Sequence, residues 1–273
     1  GRVTPRNGYE NFSDESVSFE INRFDGNELK KRFDEVAKEV SLSLFLNGVE
    51  IAKLHILPTE FEFLAIGFLF TERLIDLPTD VRKLSFNPNS FSIEVETFQQ
   101  NPLPSLTEVV RSVTSGCGRG LSFISPAFAA GFPPLFSKKI LRAAQIVSLT
   151  QKLQTVSDVF KKTGCVHSAS LAISGEMAHV SEDIGRHNAV DKAIGWAFRN
   201  IWPLPEGAIL LSTGRVSTEI VIKAHRGGIC FIVSHSAPTY AAVQLADSLG
   251  ITVIGFARGN RFNVYTHQER VAL

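Results

Sequence analysis

The chain carries LLSTGR at residues 210–215, IVSHSAP at residues 232–238 and IGFARGNR at residues 254–261. Each stretch starts as an apolar, strand-like run and ends as a polar loop. Strands of this kind that alternate with helical patterns build a parallel sheet, and an open parallel sheet binds its ligand beyond the carboxyl ends of its strands. The sequence therefore predicts that the three loops meet in one ligand site.

The arginines of these loops favour an anionic ligand. Arg215, Arg258 and Arg261 each lie near a glycine at a predicted strand end, where arginine has few structural reasons to be. Guanidinium groups, and backbone N–H groups freed by glycine, supply donors and positive potential to phosphate oxygens. We interpret the three arginines as ligand contacts, and Ser234 and His235 as residues that line the same pocket.

A second polar stretch, SEDIGRHNAVDK at residues 181–192, begins as a loop and continues as a helix to about Phe198. Arg186 and His187 stand where this helix begins. They either contact the ligand or cap the helix and face solvent, and the sequence leaves both roles open. His167 lies on an alternating strand and is interpreted as a hydrogen-bonded, partly buried histidine.

Composition and charge exclude several classes of partner. The 273 residues are 44% hydrophobic and carry a formal net charge of +1. Binding to nucleic acid or to an acidic membrane surface requires a marked excess of Lys and Arg, so neither is expected. The apolar run from Phe63 to Phe70 is too short to span a bilayer, and no charged-then-apolar leader opens the sequence. We therefore expect a cytoplasmic protein.

The chain divides by composition near Ser137. Sixteen of the 21 phenylalanines precede residue 137, and residues 122–134 are rich in Ser, Ala, Gly and Pro, as a connector is. The sequence predicts a smaller α+β domain at residues 1–137 and a mixed α/β/α sandwich at residues 138–273.

Local patterns predict particular elements. Alternating residues on both sides of Asn47-Gly48 predict a hairpin with a type I′ turn, because both turn residues tolerate positive φ. Thr59 and Glu62 match a capping box ahead of an apolar helix that reaches about Leu74. Four further elements are predicted from residue spacing: strands over 91–96, 166–173 and 176–180, and an amphipathic helix over 138–153.

The three cysteines do not form a disulfide framework, because they are odd in number and widely spaced. Cys230 lies in a predicted buried strand, and Cys165 is interpreted as a buried thiol. Cys117 differs because it lies in TSGCGRG, residues 114–120. Glycines give access to this thiol and Arg119 favours the thiolate, so Cys117 is the candidate reactive cysteine.

Four motifs together resemble the FdhD family of formate dehydrogenase accessory sulfurtransferases. They are EDIGRHNAVDK (182–192), STGRVS (212–217), SHSAPT (234–239) and GFARGNRFNVYT (255–266), in the family's order. The resemblance covers nearly the whole chain. It implies a cytidine-deaminase-like fold for the C-terminal domain, and a homodimer.

The resemblance also implies an activity. Sulfur would pass from a cysteine desulfurase, through a cysteine persulfide, to the molybdenum or tungsten bis-pterin guanine dinucleotide cofactor of formate dehydrogenase, which the protein binds as its substrate. Cys117 matches the family's persulfide-carrying cysteine. The segment matched to cofactor binding consists of Phe256, Ala257, Arg258, Gly259, Asn260 and Arg261. GDP, a fragment of the cofactor, is expected to bind the loops at Thr213, Ser234 and Phe256, with the arginines as phosphate or guanine contacts.

The chain departs from the family pattern at one position. The second cysteine of the family's Cys-x-x-Cys loop is Gly120 here, so no resolving thiol stands beside Cys117. A single thiolate suffices chemically, because a persulfide needs one sulfur to accept and one acceptor to attack. A non-catalytic chaperone that binds the cofactor is the alternative, and for it Cys117 would be dispensable.

A zinc hydrolase on a deaminase-like sandwich is not favoured. Such enzymes carry His-x-Glu followed by Pro-Cys-x-x-Cys. His179 is followed by Glu182 at the wrong spacing, and the chain has no cysteine pair. We therefore expect no resident metal.

Overall fold

The computed structural model describes residues 15–99 and 124–273. Cys117 and Gly120 lie outside the described residues. The first described range contains one α-helix, a short 3-10 helix (Pro78–Asp80) and six strands: β1 (Ser16–Phe24), β2 (Leu29–Ala37), β3 (Val40–Leu46), β4 (Val49–Ile56), α1 (Phe61–Thr71), β5 (Val81–Asn87) and β6 (Ser92–Thr97). Strands β1 and β2 form a separate hairpin, and the other four form a sheet in the order β4-β3-β6-β5, with β3 parallel to β6.

Two predictions for this half are confirmed. β3 and β4 pair antiparallel across Asn47-Gly48, where φ is 49° and 81°. Positive φ at both positions is what a type I′ turn requires. The alternating stretch over 91–96 forms strand β6, as expected.

The predicted capping box at Thr59 and Glu62 is wrong. Helix α1 begins at Phe61 with Glu60 as its N-cap, and the N-cap makes no side-chain hydrogen bond to the helix. The Thr59 hydroxyl instead accepts a hydrogen bond from Lys192 Nζ at 3.1 Å, so a buried lysine of the second half occupies the group that would have capped the helix. The helix ends at Thr71, before Leu74, because Arg73 has a φ of 62°.

The second described range forms one large sheet with helices on both faces. Its elements are α2 (Pro126–Ala129), β7 (Leu141–Arg142), α3 (Ala143–Val156), α4 (Asp158–Thr163), β8 (His167–Ile173), β9 (Glu176–Asp183), α5 (Arg186–Asn200), β10 (Ile209–Ser212), α6 (Thr218–Arg226), β11 (Phe231–Ser234), α7 (Tyr240–Ser248), β12 (Thr252–Arg258), β13 (Arg261–Val264) and β14 (Val271–Ala272). The sheet order is β13-β12-β11-β10-β8-β9. β10, β11 and β12 run parallel, and β8, β9 and β13 are antiparallel to the strands beside them.

The predicted helix over 138–153 begins five residues later than expected. Residues 138–142 are extended because their backbone bonds to groups outside a helix. Lys138 N donates to Glu206 Oε1 at 2.8 Å, and β7 pairs with β14 near the end of the chain. The strands predicted over 166–173 and 176–180 are confirmed as β8 and β9, and β9 continues to Asp183.

Alternate residues of the parallel strands face two separate apolar cores. Leu211 and Val233 pack with Leu149 of α3 on one face. Leu210 and Ile232 pack on the other face with residues of α5, α6 and α7. This alternation follows from the period of two along a strand, and it produces a three-layer α/β/α arrangement.

The two halves of the chain share a core. α1 crosses α5 so closely that a Cβ on Gly67 would lie 1.8 Å from Asp191 O, and one on Gly195 would lie 1.9 Å from Phe63 O. Glycine is required where two helix backbones touch in this way. One continuous apolar cluster contains residues of β3, β4, β6 and α1 together with residues of α5 and β10. The domain boundary near Ser137 stays a prediction.

A buried ion pair also joins the halves. Lys223 Nζ lies 2.9 Å from both carboxylate oxygens of Asp191 and 3.6 Å from Glu72 Oε1. Burial lowers the pKa of Lys223, but the charges of Asp191 and Glu72 raise it more, so the net pKa is raised. Among the described residues no helix is both long and apolar enough to cross a bilayer.

Candidate functional site

The structure brings the three predicted loops together at the carboxyl edge of β10, β11 and β12. Each loop is tied to its neighbour through the backbone. His235 N donates to Ser212 O at 3.0 Å, and Phe256 N donates to Ser236 O at 3.1 Å. Thr213 N donates to Ser168 O at 3.0 Å, which adds the start of β8 to the same edge.

Serine hydroxyl groups hold these loops in place through hydrogen bonds to the loop backbone. Ser234 is fully buried, its Oγ donates to Gly214 O at 2.6 Å, and it accepts from Ser236 N at 3.1 Å. Ser236 Oγ donates to Thr213 O at 2.8 Å. The hydroxyl of Ser234 therefore sets the loop conformation, and its direct contact with a ligand stays a prediction.

Phe256 is held in a strained conformation with its ring turned to solvent. The pairing of β12 with β13 is irregular between Gly255 and Arg258, and Phe256 has a φ of 49° with 40% of its surface exposed. Gly255 packs against the rest of the site, because a Cβ there would lie 2.9 Å from Tyr265 Cε2 and 3.0 Å from Ser236 O. Strained, exposed aromatic residues are typical of binding positions.

Of the other residues in the predicted segment 256–261, four lie at the surface end of the β12–β13 hairpin and one lies in the core. Arg258 and Arg261 lie opposite each other in the register of β12 and β13, and Arg258 Nε donates to His235 O at 3.0 Å. Asn260 Oδ1 accepts from Gln151 Nε2 at 3.3 Å, and Gly259 has a φ of 56° in the turn. The side chain of Ala257 points instead into the core below the sheet.

His235 lies between the loops and helix α3. Its Nδ1 is 2.9 Å from Gln154 Nε2, so the amide donates and the ring proton resides on Nε2. Burial, together with the charge of Arg258, lowers the pKa of His235. A hydrogen bond with the backbone of Ala257 acts in the opposite direction, so the ring is held between α3 and the loop after β12. Gln151 and Gln154 were missed in the sequence, because the register of α3 against the loops depends on packing.

A second basic group lies at the end of β10 next to β8 and α5. His167 Nδ1 is 3.3 Å from Thr213 Oγ1. Burial lowers the pKa of His167, and the charges of Arg186 and Arg215 lower it further. The side chain of Arg186 lies across Gly214, where a Cβ would meet Arg186 Cβ at 2.7 Å. Arg186 therefore approaches the loop that carries Arg215. The sequence left the role of Arg186 open between ligand contact and helix capping.

His187 contacts the beginning of helix α6. Its Nε2 lies 3.4 Å from Ser217 Oγ and 3.8 Å from Glu219 Oε2. The contact with His187 lowers the pKa of Glu219 to about 2 and outweighs the opposing effect of burial. Ser217 and Glu219 were not singled out in the sequence, because only packing places the first turns of α5 and α6 side by side.

Asp183 fixes the start of α5. Its Oδ1 accepts from Leu57 N at 2.9 Å and pairs with Lys192 Nζ at 2.9 Å. Its Oδ2 accepts from Gly185 N at 2.8 Å and from Asn188 Nδ2 at 3.1 Å. All of these groups are buried or half-buried, so the position of Arg186 and His187 is set by a network that reaches into the first half of the chain.

The two described cysteines differ. Cys230 is buried, and burial raises its pKa, as expected for a core thiol. The prediction that Cys165 is buried is wrong: Cys165 is exposed, because α4 ends at Thr163 with Gly164 as its C-cap and the chain crosses the surface before β8. Within residues 15–99 and 124–273, no three His, Cys, Asp or Glu side chains come together as metal ligands would.

Arginine and histidine side chains gather at the carboxyl edge of parallel strands in a three-layer α/β protein, so this edge carries positive charge. Residues 37–272 match the model of the FdhD/NarQ family, and the chain belongs to this family. This match confirms the resemblance drawn from the four sequence motifs.

Similar proteins cover nearly the whole chain. A Bacillus licheniformis protein named sulfur carrier protein FdhD is 33% identical over 94% of this chain and 97% of its own length. A Geobacillus kaustophilus protein of the same name is 35% identical over 88% of this chain and 91% of its own length. The crystal structure of a formate dehydrogenase accessory protein from Desulfotalea psychrophila superposes with a TM-score of 0.75 at 25% identity. It covers 95% of this chain and 100% of the other.

Proposed function

We propose that this protein is a sulfur carrier that serves formate dehydrogenase. It takes sulfur from a cysteine desulfurase as a persulfide on Cys117 and passes it to the molybdenum or tungsten bis-pterin guanine dinucleotide cofactor, which it binds as substrate. The names of the relatives and the accessory role of the structural neighbour support the sulfur and formate dehydrogenase parts of the proposal.

The observation that carries the binding part is the arginine pair beside His235. Arg258 and Arg261 face each other at the sheet edge, and the exposed ring of Phe256 lies next to them, with the Arg258 guanidinium 5.3 Å from its centroid. Two guanidinium groups suit the phosphates of a nucleotide, and an exposed aromatic face suits a purine ring. GDP is the fragment that tests this part.

The sulfur step follows thiol chemistry. The Cys117 thiolate attacks the outer sulfur of a desulfurase persulfide, a new S–S bond forms on Cys117, and the desulfurase thiolate leaves. Sulfur then leaves Cys117 as sulfide only with two electrons, so the acceptor or a thiol must supply them. Cys117 returns to the thiol, and no second cysteine is needed for this cycle, which fits Gly120 at the position of the family's second cysteine.

The exposed Cys165 provides a matched control for the sulfur experiment. The protein is incubated with a cysteine desulfurase and cysteine, and its mass is measured intact and after digestion. We expect one added sulfur atom on Cys117 in the native protein and in Cys165→Ala, and none in Cys117→Ala. Acceptance of sulfur by Cys117→Ala at the native level would remove the carrier assignment.

A cofactor-binding chaperone without sulfur chemistry is the alternative. It predicts that a strain carrying Cys117→Ala keeps full formate dehydrogenase activity, whereas the sulfur carrier predicts its loss. We also propose a cytidine-deaminase-like topology for the second half, a homodimer and a cytoplasmic location. The three-layer sheet supports the first of these, and light scattering of the purified protein tests the second.

A further inference from the structure

The hairpin of β1 and β2 exposes many large apolar side chains. Phe19 is 60% exposed and Phe33 is 72% exposed, and four more large apolar side chains of this hairpin are exposed: Val17, Phe24, Leu29 and Val36. The match to the family model begins only at residue 37, the last residue of β2. A two-stranded hairpin is marginally stable by itself in water, so a further strand beside it would stabilise it.

The outer edge of β1 is open to such a strand. Among the strands that the structure describes, β1 pairs with β2 alone. β1 is nine residues long, it contains no proline and no lysine, and its pairing with β2 has no bulge. Proline, lysine and bulges are the features that keep an edge strand from pairing with another chain. β1 therefore fits the addition of a strand along its edge.

Hydrogen bonds at the two ends of the hairpin show which residues face the open edge. Lys38 N donates to Glu15 O at 2.9 Å, and Asp25 N donates to Glu28 O at 3.2 Å, and both pairs continue the register of the two strands. Hydrogen-bonded and non-hydrogen-bonded pairs alternate along an antiparallel ladder. The odd-numbered residues of β1 therefore bond to β2, and the even-numbered residues direct their N–H and C=O groups to the open edge.

The apolar residues of β1 match each other when two copies of the strand run antiparallel. With Phe19 of one copy opposite Phe19 of the other, Val17 lies opposite Ile21 on both sides of the centre. These odd-numbered residues share one face of the strand. They form the non-hydrogen-bonded pairs, in which side chains approach most closely. The centre of the contact is therefore an apolar cluster with two stacked or edge-on aromatic rings.

The polar residues match in the same register. Ser18 lies opposite Glu20 on the other face, and both residues have the outward-facing backbone groups that exchange hydrogen bonds between the copies. Glu15 lies opposite Arg23 at each end of the apolar face, so opposite charges meet twice in the contact. Cross-strand pairs of opposite charge stabilise a sheet.

Neighbouring registers lose this match. A pairing centred on Glu20 places two glutamates opposite each other, and one centred on Ser18 places Glu15 opposite Ile21. Like charges opposite each other are destabilising, and so is a charge against an apolar side chain. A register centred between two residues pairs an outward-facing backbone group with one that already bonds to β2. The pattern of β1 therefore specifies one partner strand, which is β1 itself.

We propose that two copies of this chain associate through β1, in a register centred on Phe19, and form a four-stranded antiparallel sheet in the order β2-β1-β1-β2. The proposed function includes a homodimer without a contact surface, and the inference rests on that part of it alone. Pairing gives the open backbone groups of β1 their hydrogen-bond partners, covers apolar surface, and completes a sheet that is large enough to be stable.

The first test measures the oligomeric state of the full chain by sedimentation equilibrium over a range of concentrations. The native protein should dimerise. Phe19→Asp places two like charges at the centre of the contact, so the dissociation constant of the dimer should rise by about tenfold or more. Phe33→Asp is the matched control, because Phe33 is an exposed phenylalanine of β2 in the same hairpin. Its dissociation constant should stay within about twofold of the native value.

A charge exchange tests the two ends of the contact. Glu15→Arg and Arg23→Glu each place like charges opposite each other, and each should weaken the dimer at low salt by about threefold or more. The double variant restores opposite charges and should recover most of the native affinity. Arg23 also lies 3.8 Å from Asp34 Oδ1 of its own chain. Recovery in the double variant separates the contact between copies from that pair.

A disulfide tests the register. Residues that lie opposite each other in a non-hydrogen-bonded pair have a Cα separation that a disulfide can span. In a chain that also carries Cys117→Ala and Cys165→Ala, oxidation of Phe19→Cys should give a covalent dimer, whereas Phe33→Cys should not.

Three results would each overturn the proposal: a native protein that stays monomeric, a dimer that Phe19→Asp does not weaken, and a dimer that Phe19→Cys does not link. Addition of sulfur to Cys117 and binding of GDP are measured in other experiments. Failure of those parts of the proposed function is therefore distinguishable from failure of this contact.

Discussion

Arg258 and Arg261 are register partners across the turn that joins β12 to β13, so two like charges lie on the same face of a hairpin. The turn between them is Gly259-Asn260, and the positive φ of Gly259 keeps it tight. A bound anion between the two guanidinium groups would remove their repulsion. Binding of an anion there would therefore stabilise this edge of the sheet.

Arg261→Ala should separate these two effects. GDP affinity is expected to fall by about tenfold or more, because a charge-assisted contact is lost. In low salt and without ligand, the free energy of unfolding should rise by about 0.2–1 kcal/mol, because a like-charge pair is removed. Calorimetric titration and denaturant unfolding measure the two quantities. Arg258→Ala should weaken GDP binding as well, and unchanged GDP affinity in both variants would contradict the assignment.

Phe256→Gly should impair binding without unfolding the protein. Glycine relieves the φ of 49° but adds backbone entropy to the unfolded chain, so the free energy of unfolding should change by about 1 kcal/mol or less. Loss of an aromatic stacking surface should weaken GDP binding by about 1–3 kcal/mol. Asn47→Gly, at a second residue with a φ of 49°, is the control and should leave GDP affinity unchanged. Equal GDP affinity in Phe256→Gly would show that the ring is not a contact.

The pair of His187 and Glu219 should make stability depend on acid pH. Glu219 has a pKa of about 2 in the folded protein against an ordinary value of 4.5. A lowered pKa stabilises the folded state above pH 4.5, and this contribution is lost as the pH falls toward about 2. Denaturant unfolding at several pH values should therefore show a smaller loss over this window in Glu219→Gln than in the native protein. Parallel losses in the two proteins would speak against the pair.

Lys223→Met should destabilise the interface between α6, α5 and α1. The change leaves Asp191 and Glu72 buried without their cation, which typically costs about 3–5 kcal/mol. Urea unfolding measures the loss, and the exposed Lys162→Met is the control with an expected change of about 0.5 kcal/mol or less. A loss as small as that of the control would mean that the buried pair contributes little.

Alkylation should distinguish the three cysteines. Cys117 lies in a glycine-rich loop by sequence, so we expect it to react readily in the free protein and more slowly when GDP or the full cofactor is bound. Cys165 is exposed and should react at a rate that ligand does not change, whereas Cys230 is buried with a raised pKa and should react slowly. Peptide mass spectrometry measures the rate of alkylation at each of the three cysteines. Slow, ligand-independent alkylation of Cys117 would contradict its role as carrier.

Short-range patterns in the sequence determined the parts of the fold that depend on a few neighbouring residues. Asn47-Gly48 specified its turn because both residues accept positive φ without strain. The apolar runs that end at Ser212, Ser234 and Arg258 specified parallel strands, and hence a common edge for their loops. The arginines of those loops favour an anionic ligand, and this stays a prediction.

Tertiary structure decided the features that require residues far apart in the chain. Thr59 is bonded to Lys192 rather than to its own helix, and Asp183 is bonded to Leu57, 126 residues away, so neither capping nor the start of α5 follows local rules. The approach of Arg186 to Gly214 likewise depends on how α5 packs beside β10. Turn and strand preferences act over a few residues, whereas these contacts depend on the packing of whole elements, which no local pattern encodes.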